Sequence, residues 1–204
     1  MLKMLDHVVY VARDLAAAVE DHRRRGFTVT PGGEHAGGVT HNALVCFADG
    51  SYLEIVGFRR PDPTHRWWSH ATNGGFADFA VLSDDLAKDV SALTDLVVRE
   101  PAEGARTRPD GVLLRWRAAF LRAPLPFLIE DLTPRDLRVP AGHAARHANG
   151  VAGIASLVVA ARDERSVVKS YERLRARGAP EIQIIRTDFD GLTDVNFASP
   201  RGAR

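Results

Sequence analysis

The sequence predicts an α+β fold in which paired βαβββ modules form a half-barrel cleft, with a partial third βα module at the C-terminus. A repeated frame carries this prediction. His7, Asp78 and Ser156 each stand seven residues ahead of an aspartate, namely Asp14, Asp85 and Asp163. Each frame begins in an apolar run ("LDHVVYVARDL", "ADFAVLSDDL", "ASLVVAARDE") and leads into an amphipathic helical pattern. The three starts lie 71 and 78 residues apart, a spacing that marks a repeated supersecondary unit. One such unit cannot cover its own sheet, whereas two side by side curve into a shared cleft.

The first unit spans residues 4–58. Leu5, His7, Val9 and Val11 share one face of an extended segment, and Asp6, Val8 and Tyr10 share the other. Asp14 offers a helix N-cap, Leu15, Ala18, Val19 and His22 follow at helical spacing, and Gly26 suits the left-handed position after the helix. "FTVTPGG" reads as a strand running into a turn, and "HNALVCFADGSYLEIVGF" as two strands joined at Asp49-Gly50. The second unit, 74–131, has a helix through Leu86, Val90 and Leu93, then strands at "VLLRWRAAFL" and "LPFLIED". The linkers 59–75 and 133–150 are rich in proline, glycine and polar residues. The first joins unit one to unit two; the second joins the paired domain, 1–132, to a third unit at 148–204. That unit has a helix through Val167, Val168, Tyr171 and Leu174, closed by Gly178, and strands at "EIQIIRT" and "TDVNFAS", one strand short of the others.

At 204 residues the chain buries a substantial core. A net charge of +1 gives no pull toward nucleic acid or an anionic membrane. Cys46 is the single cysteine, so no intrachain disulfide forms, as suits a reducing compartment. The start "MLKMLDHVVY" lacks a long apolar region and no stretch reaches the length of a membrane span. These features predict a cytoplasmic protein whose partner is a small molecule.

Several strands that should be apolar carry polar groups. His7 and Asp78 stand on the first strands of units one and two; Glu54 and Glu130 stand on their last strands. A buried carboxylate is paired, solvated or metal-bound. If the units are related by a pseudo-twofold, the four converge on the inner face as a mixed nitrogen and oxygen site for a divalent cation. A one-residue shift of register would exchange Glu130 for Asp131. "PGGEHAGGVTHNALV", 31–45, reads as a glycine loop that brings His35 and Asn42 toward a ligand, His35 as general acid or base. In "RTRPDGVLLRWR", 106–117, Arg106, Arg108, Arg115 and Arg117 read first as a solvated face; one or two of them, Arg108 foremost, are candidate clamps for a substrate carboxylate. Trp67-Trp68 and Trp116 read first as core or interface packing and second as candidate walls of an apolar pocket.

The paired βαβββ pattern, with "LDHVVYVARDL", "GGEH…THNALV", "YLEIVGF", "RTRPDGVLLRW" and "LPFLIED", resembles the vicinal-oxygen-chelate superfamily and, within it, the glyoxalase-like domain family. The resemblance spans residues 4–131, and more weakly 148–200. It implies ligands on the first and last strands of the two modules, which by position are His7, Glu54, Asp78 and Glu130. It also implies a divalent ion (Mg²⁺, Mn²⁺, Fe²⁺, Ni²⁺ or Zn²⁺), the carboxylate-rich set favouring a hard ion such as Mn²⁺ or Mg²⁺. Asp78 departs from the nitrogen or amide ligand usual there, and orienting His7 is its other reading. The activity so implied is a metal-dependent lyase, isomerase or dioxygenase reaction, with Glu130 or His35 moving a proton. The alternatives are a metal-free protein that sequesters a small molecule, or an accessory subunit with a decayed cleft. Modules paired within one chain and modules swapped in a homodimer both suit the pattern.

Overall fold

The computed structural model describes residues 1–198. The first module runs β1 (Leu2–Ala12), α1 (Leu15–Arg24), β2 (Thr30–His35), β3 (Thr40–Cys46) and β4 (Tyr52–Phe58). The second runs β5 (Gly75–Ser83), α2 (Leu86–Ser91), β6 (Val97–Thr107), β7 (Leu113–Leu121) and β8 (Phe127–Asp131), followed by the single turn α3 (Arg135–Arg138). The third comprises β9 (Gly153–Ala161), α4 (Glu164–Arg175), β10 (Gln183–Arg186) and β11 (Gly191–Ala198). The part of the expected third unit beyond residue 198 lies outside the described residues.

The recurring aspartates act as the spacing predicts. The side chains of Asp14, Asp85 and Asp163 accept the backbone N–H three residues ahead, at 3.0, 3.0 and 3.1 Å. Each satisfies one of the donors left open at a helix start. Gly50, at φ 82°, closes the turn from β3 into β4.

Strands of the two modules form one ring in the order β1-β4-β3-β2-β6-β7-β8-β5. β1 lies between parallel β4 and antiparallel β5, with Val9 between Glu54 and Asp78. The half-barrel therefore closes on its far side, through a short seam of β2 on β6 that pairs Glu34 with Thr107 and His35 with Arg106. The expected glycine loop begins later than the sequence suggests. β2 continues through Gly32 and Gly33 to His35, because glycine allows the close approach the seam requires. A Cβ on Gly33 would fall 2.0 Å from the Thr107 carbonyl oxygen. β6 has no counterpart among the predicted strands; it is mostly exposed and polar and contains Pro101.

Strand alternation divides the apolar residues between two cores. Val8, Ile55, Phe79, Val81, Leu121 and Leu128 face outward and pack with Leu86 and Leu93 and, from the third module, with Leu157, Val159, Tyr171 and Leu174. Val9, Val11, Val56, Ala80, Phe127 and Ile129 face the interior of the ring. The third module forms its own sheet, β10-β9-β11. It is tied to α2 by Arg177, whose Nε donates to the fully buried Asp89 at 2.9 Å. No helix among the described residues is long and apolar enough to cross a membrane.

Candidate functional site

The ring encloses a chamber of about 410 Å³, within the range of small-molecule sites. Its walls are largely apolar, formed by Trp67, Trp116, Phe120, Phe127, Ile129 and Ala118. Trp116 lies flat over Gly104 on the neighbouring strand, where any Cβ would meet the indole at 2.5 Å. His7, His35, Asn42 and Glu54 make the polar floor.

Glu54 is the centre of that floor and is only 5% exposed. Alternation on β4 aims it inward between Leu53 and Ile55, which face the outer core. Its Oε1 accepts from Asn42 Nδ2 at 2.5 Å. His35 Nε2 lies 3.3 Å from Oε1 and His7 Nε2 lies 3.4 Å from Oε2. Asn42 is held by packing on its other side, where its Oδ1 rests on Gly32 and leaves no room for a Cβ. His35 Nδ1 is 2.8 Å from Thr40 Oγ1.

Behind His7 stands a network that the alternation pattern concealed. Irregularities in the β1–β5 register between Leu5 and His7 accompany the approach of neighbouring side chains, and Asp6 Oδ1 meets His7 Nδ1 at 2.5 Å. Arg138 donates to both oxygens of Asp6 at 2.9 and 2.8 Å, and to the Tyr52 hydroxyl at 2.7 Å. Arg135 adds a bond to Asp6 at 2.5 Å. The Tyr52 ring stacks on the His7 imidazole with centroids 4.5 Å apart. Burial opposes charge on Asp6, His7, Glu54 and Arg138, and the partners reverse that effect for all four. Arg138 and His7 hold Asp6 well below the usual carboxylate range. His35 and His7 do the same for Glu54, while bonds to Asp6 and Glu54 raise His7 above an ordinary imidazole.

Comparison with known proteins agrees with this architecture. The sequence profile of the glyoxalase-like domain matches residues 5–175. The chain belongs to the glyoxalase-like domain family. It thereby joins the vicinal-oxygen-chelate superfamily. No curated protein matches the sequence. Among solved structures, a hypothetical protein from Staphylococcus aureus aligns with a TM-score of 0.78 at 12% identity, covering 100% of this chain and 93% of that one. A variant methylmalonyl-CoA epimerase from Streptomyces coelicolor, in complex with 2-nitronate-propionyl-CoA, aligns with a TM-score of 0.50 at 22% identity over 65% of this chain and 100% of its own. At such identities the likeness concerns the fold.

Within this glyoxalase-like domain the four implied metal ligands do not come together. His7 and Glu54 share the floor. Asp78 points inward but accepts from Trp67 Nε1 at 2.9 Å, from the Phe79 N–H at 2.9 Å and from Arg66. Glu130 lies on the outer face of β8, because Ile129 and Asp131 take the inward positions; it is forked by Arg117, its partner across the strands. Asp131, the inward residue, is bound by Arg135 and Arg138. Among the described residues no group of three or more His, Cys, Asp or Glu side chains is arranged to hold a metal ion. The implied ligand set therefore does not fit a metal ion.

Two further sequence candidates are displaced. Arg108 lies beyond the end of β6, where it donates to the Leu137 carbonyl at 3.2 Å and to Asp110 at 2.6 Å, away from the chamber. Trp68 turns onto Phe58, and its neighbour Trp67 supplies the wall. Asn42, His35 and Trp116 do line the chamber. The residues missed were Asp6, Tyr52 and Arg138, while Arg106 and Trp67, candidates beside Arg108 and Trp68, are the ones that line the chamber. Asp6 had a visible signal in being a carboxylate beside the candidate histidine.

Proposed function

We propose that this domain is an enzyme that transfers a proton at carbon on a small oxygenated substrate, in an isomerase- or lyase-type reaction. One observation carries the reading: the chamber floor holds an acid and a base whose environments move their pKa values apart. Glu54 is ionised at neutral pH and takes a proton from the C–H beside a substrate carbonyl. His7, whose pKa is raised by its bonds to Asp6 and Glu54, returns a proton to the resulting carbanion or to its oxygen. The contacts of 3.3 and 3.4 Å from Glu54 to the two histidines are long for hydrogen bonds, so substrate atoms can replace them. His35 completes the floor as the second donor toward the developing oxyanion. The apolar walls exclude water and hold the carbon skeleton.

The test is deuterium incorporation. Small 2-oxo acids, 3-oxo acids and hydroxy ketones are incubated with the protein in D₂O, and loss of the C–H signal is followed by proton NMR. The wild-type protein is expected to speed exchange in at least one of them, and Glu54→Gln to slow it by roughly 100-fold or more. Exchange that survives Glu54→Gln at the wild-type rate overturns the assignment.

A further inference from the structure

Arg106 is a buried cation with no anion of its own. It is 4% exposed, sits on β6 at the seam and lines the chamber. Its guanidinium donates to two backbone carbonyls, Gly32 and, at 3.3 Å, Arg138. No carboxylate lies within ion-pair distance of it among the described residues. The other deeply buried charges all have partners. Asp6 has Arg135 and Arg138, Asp78 has Arg66, Asp89 has Arg177, and Glu54 has the two histidines. Around the floor, Asp6 and Asp131 are offset by Arg135 and Arg138, while Glu54, the carboxylate that acts on Arg106, lies beyond ion-pair distance of it. A buried charge is retained at such a cost when it is compensated. Arg106 borders two spaces, the chamber and a smaller pocket of about 230 Å³ beside Thr30, Pro31 and Leu44, and the chamber is the one that also holds the reacting floor.

We infer that Arg106 is the specificity residue for an anionic substrate group, and that the substrate is a monocarboxylate carrying an apolar or aromatic body. Resting on the proton-transfer reading, this names the class of molecule it acts upon. The planar fork of arginine suits the two oxygens of a carboxylate. A dianionic phosphate suits the site less well, because ionised Glu54 shares the same floor. Trp67, Trp116, Phe120 and Phe127 box the apolar body. Arg99, also on β6, lies at the chamber wall with its guanidinium 5.6 Å from the Phe120 centroid and makes no ion pair among the described residues; Asp62 and Glu103, the latter paired with Arg115, line the same chamber.

Thermal melts at fixed ionic strength test this with acetate, benzoate, phenylacetate and 3-phenylpropanoate, each beside its neutral amide and phenylacetate also beside benzylphosphonate. At least one aromatic carboxylate is expected to raise the wild-type melting temperature by several degrees and to bind at least ten-fold tighter than its amide by calorimetry. Benzylphosphonate is expected to bind more weakly than the carboxylate. Arg106→Gln is expected to abolish the preference for carboxylate over amide, and Arg106→Lys to keep part of it, with circular dichroism confirming that both fold. If Arg106→Gln does not fold, the wild-type discrimination between acid and amide decides alone. The proposal is overturned if no carboxylate stabilises the protein, if amides do so equally well, or if Arg106→Gln keeps the preference. Glu54→Gln separates the two readings. It is expected to retain carboxylate binding while losing deuterium exchange, whereas retained exchange with Arg106-dependent binding overturns the acid–base assignment alone.

Discussion

The two modules start from one repeated frame and end with different tasks. In the first, the polar residues of the frame, His7 and Glu54, face the chamber and touch each other and His35. In the second, the corresponding Asp78 is closed off by Arg66 and Trp67, and Glu130 by Arg117. The second module instead contributes walls: Trp116, Phe120, Phe127 and Ile129. The difference teaches that a repeat preserves backbone geometry while leaving each side chain free to acquire its own partners. Asp78 is held by an arginine and a tryptophan of the linker, and Glu130 is on the outer face of its strand, so neither reaches the chamber floor.

The contrast can be broken most forcefully at its support. Arg138→Met leaves Asp6 and Asp131 short of their main cation, and it is expected to cost about 3–5 kcal/mol in urea unfolding. A loss below about 1 kcal/mol would show that the network behind His7 is not what holds the floor. Next comes Asp78→Asn. It weakens the bonds from Arg66 and Trp67 and is expected to cost about 1–3 kcal/mol while leaving deuterium exchange unchanged. Loss of exchange with stability intact would return Asp78 to the reacting groups and end the division of labour.

A smaller effect is expected from pH. Asp6 and Glu54 have folded pKa values below their ordinary 3.8 and 4.5. The stability they contribute is present above those values and is lost as pH falls through the folded ones. His7 is shifted upward from 6.5. Its contribution is complete below 6.5 and disappears as pH rises through its higher folded value. Melting temperature against pH is therefore expected to decline on both sides, with His7→Gln flattening the alkaline side; an unchanged alkaline side would remove His7 as the cause. The smallest effect belongs to Glu130→Gln. Its partner Arg117 is 41% exposed, so the loss is expected to stay under about 1 kcal/mol, with exchange unaffected.

Local rules made the helices and most strands legible, because Asp14, Asp85 and Asp163 cap the helices through interactions spanning only three residues. β6 was hidden because its exposed, polar residues show no apolar alternation. Glu130 and Asp131 differ by one position, and the choice between them depends on which face of β8 meets the ring interior, a tertiary fact. Asp6 reaches His7 where the β1–β5 register is irregular, which simple alternation cannot foresee. Arg106 was read with the solvated arginines because nothing in a string of residues reveals that β2 would pair with its strand. Trp67 and Trp68 are adjacent in a linker whose turn alone decides which one faces inward.

That pairing of β2 with β6 has one more consequence. The ring is completed by only two residue pairs, and one of them joins His35 to Arg106. The weakest join of the barrel and the floor of its chamber are thus the same place, so fraying of the seam carries a reacting group and the unpaired cation apart together. A molecule bound across them would act as a keystone, and filling the chamber and locking the ring would be a single equilibrium.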